Sequence, residues 1–143
     1  MDIKQIEEGF AVSPQVDVSE VAQIETAGFK AVINNRPEGE EQGQPIGTDI
    51  GNKVLDHNMT YTFQPVVGSN ITDDDVANFK RLFKTSEKPL LAFCRTGTRC
   101  TNLWALATVT PTTIDDVIEK AANAGYNISG LRPRLEQQAK NNA

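Results

Sequence analysis

The sequence predicts one α/β domain built on a mostly parallel central sheet flanked by helices. Two short runs, "KAVINN" and "PLLAFC", are apolar without polar alternation, as strands buried on both faces are. Around them lie segments of helical spacing that open on capping residues and stop at glycines. Strands alternating with helices in this way make parallel crossovers. At 143 residues, with no repeat and no low-complexity linker, the chain reads as a single domain over 1–143. Residues from about 111 to 143 form a helical C-terminal extension packed on it.

Taken in order, "GFAVSPQV" has strand composition and is stopped by Ser13-Pro14. "DVSEVAQIETAGFK" opens a helix with Asp17 and Glu20 as a capping box, places Val21 and Ile24 on one face, and stops near Gly28. "KAVINN" follows as a buried strand, and "RPEGEEQGQPIG" as a polar loop long enough to suggest a working role. "GTDIGNKVLDHNM" is helical and "TYTFQPVV" a strand. "ITDDDVANFKRLFKTSEK" is the clearest helix, with Thr72 as N-cap, Asp75 three residues later, and Val76, Phe79, Leu82 and Phe83 on one face. "PLLAFC" is the next strand, and "TNLWALATV" a helix broken at Thr110-Pro111. "PTTIDDVIEKAANAGYNISG" repeats the cap-and-stop pattern with Thr113, Asp116 and Gly125, and "LRPRLEQQAKNNA" is expected to be a short, fraying helix.

Composition removes several classes of function. A net charge of −5 without a Lys/Arg block argues against a nucleic-acid or anionic-membrane surface. The acids within "MDIKQIEEGFAVSPQ" are unlike a signal peptide, and no apolar run approaches the roughly 18–20 residues of a membrane span. Two cysteines six positions apart are no disulfide framework, and the single His57 leaves no zinc set, so no metal or cofactor is expected. The default is a cytoplasmic protein with reduced thiols.

Chemistry concentrates in "LLAFCRTGTRCTNLWALATV". In parallel sheets ligands bind at the carboxyl ends of strands, where loops enter helices, and Cys94 falls there. The loop Arg95, Thr96, Gly97, Thr98 would curl around its sulfur, Gly97 permitting a positive φ. Successive N–H groups then point inward as an anion nest, and the following helix adds its positive end. Thiols in such sites ionise at about 3.5–7.5 against roughly 8.5 when free. Arg99 supplies a planar fork suited to an oxyanion or an anionic sulfur. A buried structural cysteine beside a helix arginine is the plainer alternative; the strand–Cys–Gly loop–Arg–helix order favours catalysis.

At these residues the chain resembles two families of cysteine-loop enzymes. "CRTGTR" matches the Cys-Arg-x-Gly-x-Arg often carried by single-domain rhodaneses, which are sulfurtransferases. Cysteine-dependent phosphatases carry instead His-Cys, five residues, Arg, then Ser or Thr. Over nearly its whole length the chain resembles the phosphatase-like domain of bacterial beta-lactamase-hydrolase-like proteins. "AVINNRPEGEEQGQP", "ITDDDV", "AFCRTGTRCTNLWAL" and residues 121–126 look like that family's recurring segments. The resemblance implies a cysteine-phosphatase-like fold. Some members are fused to a metallo-hydrolase domain implicated in persulfide oxidation, which implies sulfur metabolism and such a hydrolase as a partner.

The departures from the phosphatase pattern favour sulfur. Cys94 and Arg99 enclose four residues, not five, and Phe93 stands where phosphatases have His. Cys100 follows the arginine where phosphatases place a hydroxyl; Thr101 is the substitute, about 100° around the helix. "QPVVGSN" lacks the aspartic acid that would protonate a leaving oxygen. Asp73, Asp74 and Asp75 read as the first turn of a helix, and Glu38, Glu40 and Glu41 remain candidates on the polar loop. Sulfur transfer needs no such acid, because thiolates leave readily.

A persulfide on Cys94, formed from a small anionic or persulfide substrate, is therefore placed ahead of phosphate-ester hydrolysis. A catalytically weak anion- or phosphoprotein-binding module is the third reading. Cys100 either receives sulfur, resolves an oxidised Cys94, or merely fills the first helical turn. Arg36 reads as an exposed loop residue that either meets a substrate anion or is merely solvated, and Arg95 and Arg81 as surface charges by default, with added positive potential at the mouth as the alternative. Trp104 reads as core, and His57 as a surface or packing residue.

Overall fold

The protein was analysed as a computed structural model, which describes residues 1–142. Among these the sheet has five strands in the order β1-β2-β5-β3-β4. They are β1 (Lys4–Glu7), β2 (Phe10–Ser13), β3 (Ala31–Asn34), β4 (Thr60–Phe63) and β5 (Leu90–Phe93). Only β1 runs antiparallel, so the sheet is mixed and mostly parallel. The helices are α1 (Val21–Thr26), α2 (Gly47–Asp56), α3 (Asp73–Thr85), α4 (Thr98–Thr108), α5 (Ile114–Asn123) and α6 (Arg132–Asn142).

Side chains alternate between two cores across the central strands. Phe10, Val12, Ile33, Leu90 and Ala92 face a core closed by Val76 and Phe79 of α3, Leu103 and Trp104 of α4, Val117 of α5 and Leu135 of α6. Ala11, Val32, Leu91 and Phe93 face a smaller one closed by Val21 and Ile24 of α1 and Ile50 and Val54 of α2. Both faces of β2, β3 and β5 are thus covered, which is why those strands carry no polar alternation. Phe10 packs on Phe83 and Trp104 with ring centroids 5.3 and 6.3 Å away. Truncating it to alanine would cost about 3–5 kcal/mol.

Most expected caps form. Asp17 and Glu20 make a capping box on a 3-10 turn that leads into α1, and Thr72 and Asp75 make one on α3. Three expectations need correcting. Thr113 does not cap α5; its hydroxyl accepts from the Thr110 N–H instead. β1 was not anticipated, because its charged residues leave only Ile6 buried.

The last helix does not fray. Leu135 and Ala139 are buried, and Asn142 donates to the carbonyls of Leu106 and Val109, capping the carboxyl end of α4. Ala143 lies outside the described residues. Among the described residues no helix is long and apolar enough to cross a membrane.

The parallel register positions the site. Ser13, Asn34 and Phe93 lie side by side across β2, β3 and β5, with Phe63 beside Asn34. The loops after these strands therefore leave one edge of the sheet together, and Cys94 is the first residue beyond it.

Candidate active site

Cys94 sits under its loop rather than on the surface, with 1% of its area exposed. The loop climbs from β5 and turns at Gly97, whose φ of 91° is left-handed, before α4 begins. The Gly97 N–H donates to the Cys94 sulfur at 3.1 Å. Backbone N–H groups of Thr96 and Cys100 also face that sulfur. The loop is anchored from outside as well: the Gln15 N–H donates to the Arg95 carbonyl at 3.2 Å, and the Tyr126 hydroxyl to the Thr96 carbonyl at 3.0 Å. A Cβ on Gly97 would collide with that hydroxyl, so two requirements fix glycine here.

These surroundings draw the Cys94 thiol down to about 6. Hydrogen bonding to the Cys100 thiol contributes most; burial opposes it, and the N–H groups of Cys100, Gly97 and Thr96 add to the lowering. Cys100 moves the other way. Its wholly buried thiol is raised by burial and by the neighbouring Cys94, and it donates to the Asn35 side-chain oxygen at 3.3 Å. Both cysteines are free thiols.

Arg99 rises from the first turn of α4 and is held on its far side. It donates to both oxygens of Glu40, at 3.0 and 3.2 Å, and to the Val66 carbonyl at 2.9 Å. Arg36 is not the exposed residue expected. It is 1% exposed and donates to Glu40, Glu41 and Gln15 at 2.9, 3.0 and 3.0 Å. Glu40 therefore lies between two guanidinium groups. Burial favours its protonated form, but the bonds and charges of Arg99 and Arg36 win and hold its carboxyl below the ordinary value.

A cavity of about 240 Å³ opens above the sulfur, lined by Gly68, Cys94, Arg95, Thr96, Thr98, Arg99 and Asn102. A Cβ on Gly68 would press on the Arg99 guanidinium, so the glycine leaves room for it. Of the expected residues, Cys94, Arg95, Thr96, Thr98 and Arg99 meet here, with Gly97 shaping the turn. Cys100 lies beneath the floor, and Arg36 reaches the site only through Glu40.

None of the lining residues is a carboxylic acid. Glu38 accepts from the Gly47 N–H, Glu41 pairs with Arg36, Asp73 binds Arg134 and Gln138, Asp74 is exposed, and Asp75 caps α3. Thr101 is not the missing phosphatase hydroxyl, because it donates back to the Gly97 carbonyl at 2.8 Å. Arg81 bonds Asn78 on α3, away from the mouth. Trp104 is core, and His57 pairs with Glu25 at the surface.

Sequence reasoning overlooked Asn35, Gly68, Asn102 and Tyr126. Asn35, Asn102 and Tyr126 lie within segments that carry the family resemblance, which was their one available signal. Tyr126 is pushed up to about 12, by burial and then by the charge of the neighbouring Cys94.

The sequence profile of the phosphatase-like domain of beta-lactamase hydrolase-like proteins matches residues 2–111. The chain belongs to that family. Beta-lactamase hydrolase-like proteins of Xylella fastidiosa and Agrobacterium fabrum are 34% and 30% identical to it over 142 and 141 residues. Those alignments cover 97% of this chain and 33% of each relative, so the chain spans about a third of their length. The crystal structure of a candidate phosphatase from Neisseria meningitidis is 36% identical, with a TM-score of 0.86 over 96% of this chain and 99% of that one. Tk-PTP shares the fold at 11% identity, with a TM-score of 0.74 over 99% and 98% of the two chains. The family member described here is thus a phosphatase-like α/β protein.

Proposed function

We propose that this domain transfers sulfane sulfur through a persulfide on Cys94. The observation that carries this reading is an acidified, buried thiol in a ring of N–H donors, under a cavity with no carboxylic acid in its wall. In the first step the Cys94 thiolate attacks the outer sulfur of a donor such as thiosulfate. The S–S bond of the donor breaks, sulfite leaves with the electron pair, and the outer sulfur stays on Cys94 as an anionic persulfide. In the second step a thiolate or cyanide attacks that outer sulfur and Cys94 leaves as thiolate. Both leaving groups are stable anions, so neither step asks for a general acid. Arg95 and Arg99 offer positive charge to the incoming anion.

Phosphate-ester hydrolysis through a Cys94 phosphoenzyme is the second reading, favoured by the description of the Neisseria meningitidis relative. It would require an acid to protonate the departing alkoxide, and that group must come from elsewhere. A persulfide-oxidising metallo-hydrolase, the partner that the family resemblance implies, would be a fitting consumer of the persulfide. Free thiols at the site suit the reducing cytoplasm.

Intact-protein mass spectrometry decides between these chemistries. Incubation with thiosulfate or glutathione persulfide should add one sulfur, absent in Cys94→Ser. Rapid turnover of an aryl phosphate with a phosphoryl adduct and no added sulfur would install the phosphatase reading instead. Tight sulfate binding with neither adduct would identify a binding module.

A further inference from the structure

Arg99 carries five N–H donors and spends three of them on its own protein. Nη1 gives one hydrogen to Glu40 Oε2 at 3.0 Å and the other to the Val66 carbonyl at 2.9 Å, and Nη2 gives one to Glu40 Oε1 at 3.2 Å. The two that remain, on Nε and Nη2, share one edge of the planar group. Among the described residues nothing accepts from that edge. It lies beside Gly68, in the wall of the cavity above Cys94. A Cβ on Gly68 would stand 2.9 Å from Nε and 3.2 Å from Nη2, within the distance at which a hydrogen-bonded oxygen sits.

The turn at Gly68 does not itself ask for glycine. Unlike Gly97, Gly68 is not among the residues with a left-handed φ. What its bare backbone provides is room for an acceptor in front of Arg99. Asn102 lines the same cavity from α4, three residues after Arg99 and so on the same side of the helix. It is half-buried, and among the described residues its amide has no hydrogen-bond partner.

We infer that Gly68 and Asn102 set the specificity of the site: with the open edge of Arg99 they hold an oxyanion, so the preferred substrate carries its anionic oxygens on the atom bonded to the one Cys94 attacks. Arg95 also lines the cavity and adds charge without this direction. Naming a sulfur donor rests on the persulfide reading; the oxyanion subsite does not. In that reading the donor class is that of thiosulfate, whose oxygens sit on the sulfur next to the sulfane sulfur. As the thiolate attacks, the S–S electron pair passes to the departing sulfite. Its charge then grows against Arg99 and Asn102, so the subsite also stabilises the leaving group. An alkyl persulfide has no oxygen to place there.

Two measurements test it. The first is alkylation of Cys94 by iodoacetate and by iodoacetamide, in which the thiolate displaces iodide and no sulfur donor is needed. The reagents differ only in a carboxylate against an amide, on the carbon bonded to the one attacked. At about pH 8, where Cys94 is ionised, the ratio of the two rates should exceed that of N-acetylcysteine by about tenfold or more. Gly68→Ala should remove about tenfold of this preference and Asn102→Leu about 3–10-fold, in each case through the iodoacetate rate. Neither variant alters a charge, so a general positive field at the mouth would leave both ratios in place. An unmoved ratio in either folded variant overturns the proposal. So does equal slowing of both reagents, or a wild-type ratio no higher than that of N-acetylcysteine.

The second measurement compares sulfur donors in the same variants. KM for thiosulfate should rise about tenfold in Gly68→Ala, whereas loading by methyl persulfide should change by less than about threefold. Equal losses with both donors would overturn the specificity. Absence of any persulfide on the unaltered protein would refute the proposed function and leave the alkylation ratios to decide the subsite.

Discussion

Two loops leave the sheet from neighbouring strands, one from Cys94 to Arg99 after β5, the other from Asn35 to Ile46 after β3. The first is short, glycine-turned and wrapped around a sulfur; the second is long, mostly exposed and acidic. Their electrostatic roles are complementary. The short loop gathers N–H groups and Arg99 about one anionic sulfur. The long loop folds back to place Glu40 behind Arg99 and against Arg36. The comparison teaches that the positive cradle is shaped locally, whereas the aim of its arginine is set by a loop from another strand.

Disturbing the short loop should have the largest effect. Gly97→Ala meets both a left-handed backbone and the Tyr126 hydroxyl, and should cost about 2–4 kcal/mol. Thermal denaturation should show a fall in Tm of about 10 °C, with sulfur uptake by Cys94 largely lost. An active, equally stable alanine variant would mean that the turn tolerates another path.

Arg99→Lys comes next. A point charge cannot hold both Glu40 oxygens and the Val66 carbonyl while facing an anion, so kcat/KM for thiosulfate should drop about 10–100-fold at nearly unchanged Tm. Unaltered kinetics would reduce Arg99 to a strap between loops.

The long loop should matter less. In Glu40→Gln, Arg99 keeps the Val66 carbonyl and Arg36 keeps Glu41, so the loss in kcat/KM should stay within about tenfold. The pH dependence sharpens the contrast. A carboxylate held below its ordinary value contributes stability above its unfolded pKa and loses it only as pH falls through the lower, folded one. Cys94, drawn down to about 6, loses its thiolate first as pH falls. Sulfur uptake should therefore show one acid limb centred near pH 6 in wild type and Glu40→Gln alike. A second limb between pH 6 and about 5, present only in wild type, would overturn Glu40 as a permanent anion.

Tyr126→Phe should give the smallest change. It deletes one bond to the Thr96 carbonyl, worth about 0.5–1.5 kcal/mol, and should lower Tm by a few degrees with a two- to fivefold loss of rate, about what that energy allows if it falls on the transition state. A loss as deep as that of Gly97→Ala would show that the C-terminal extension, not the glycine, shapes the loop.

The sequence by itself determined the parts whose partners are near in the chain. The buried strands, the capping boxes at Asp17 and Thr72, the turn at Gly97 and the inward N–H groups all follow from residues within one strand end and one helical turn. Tertiary structure decided whatever depends on which strands are neighbours. Arg36 read as exposed because nothing local says that β2 would bring Gln15 beside it, or that Glu40 and Glu41 would fold back over it. Asn35 meets Cys100 across 65 residues, Arg99 meets Glu40 across 59, and Tyr126 reaches Thr96 across 30. The first two contacts exist because the parallel register sets the ends of β3 and β5 side by side, whereas Tyr126 is brought in by the turn after α5; burial then requires every polar group at that edge to find a partner there.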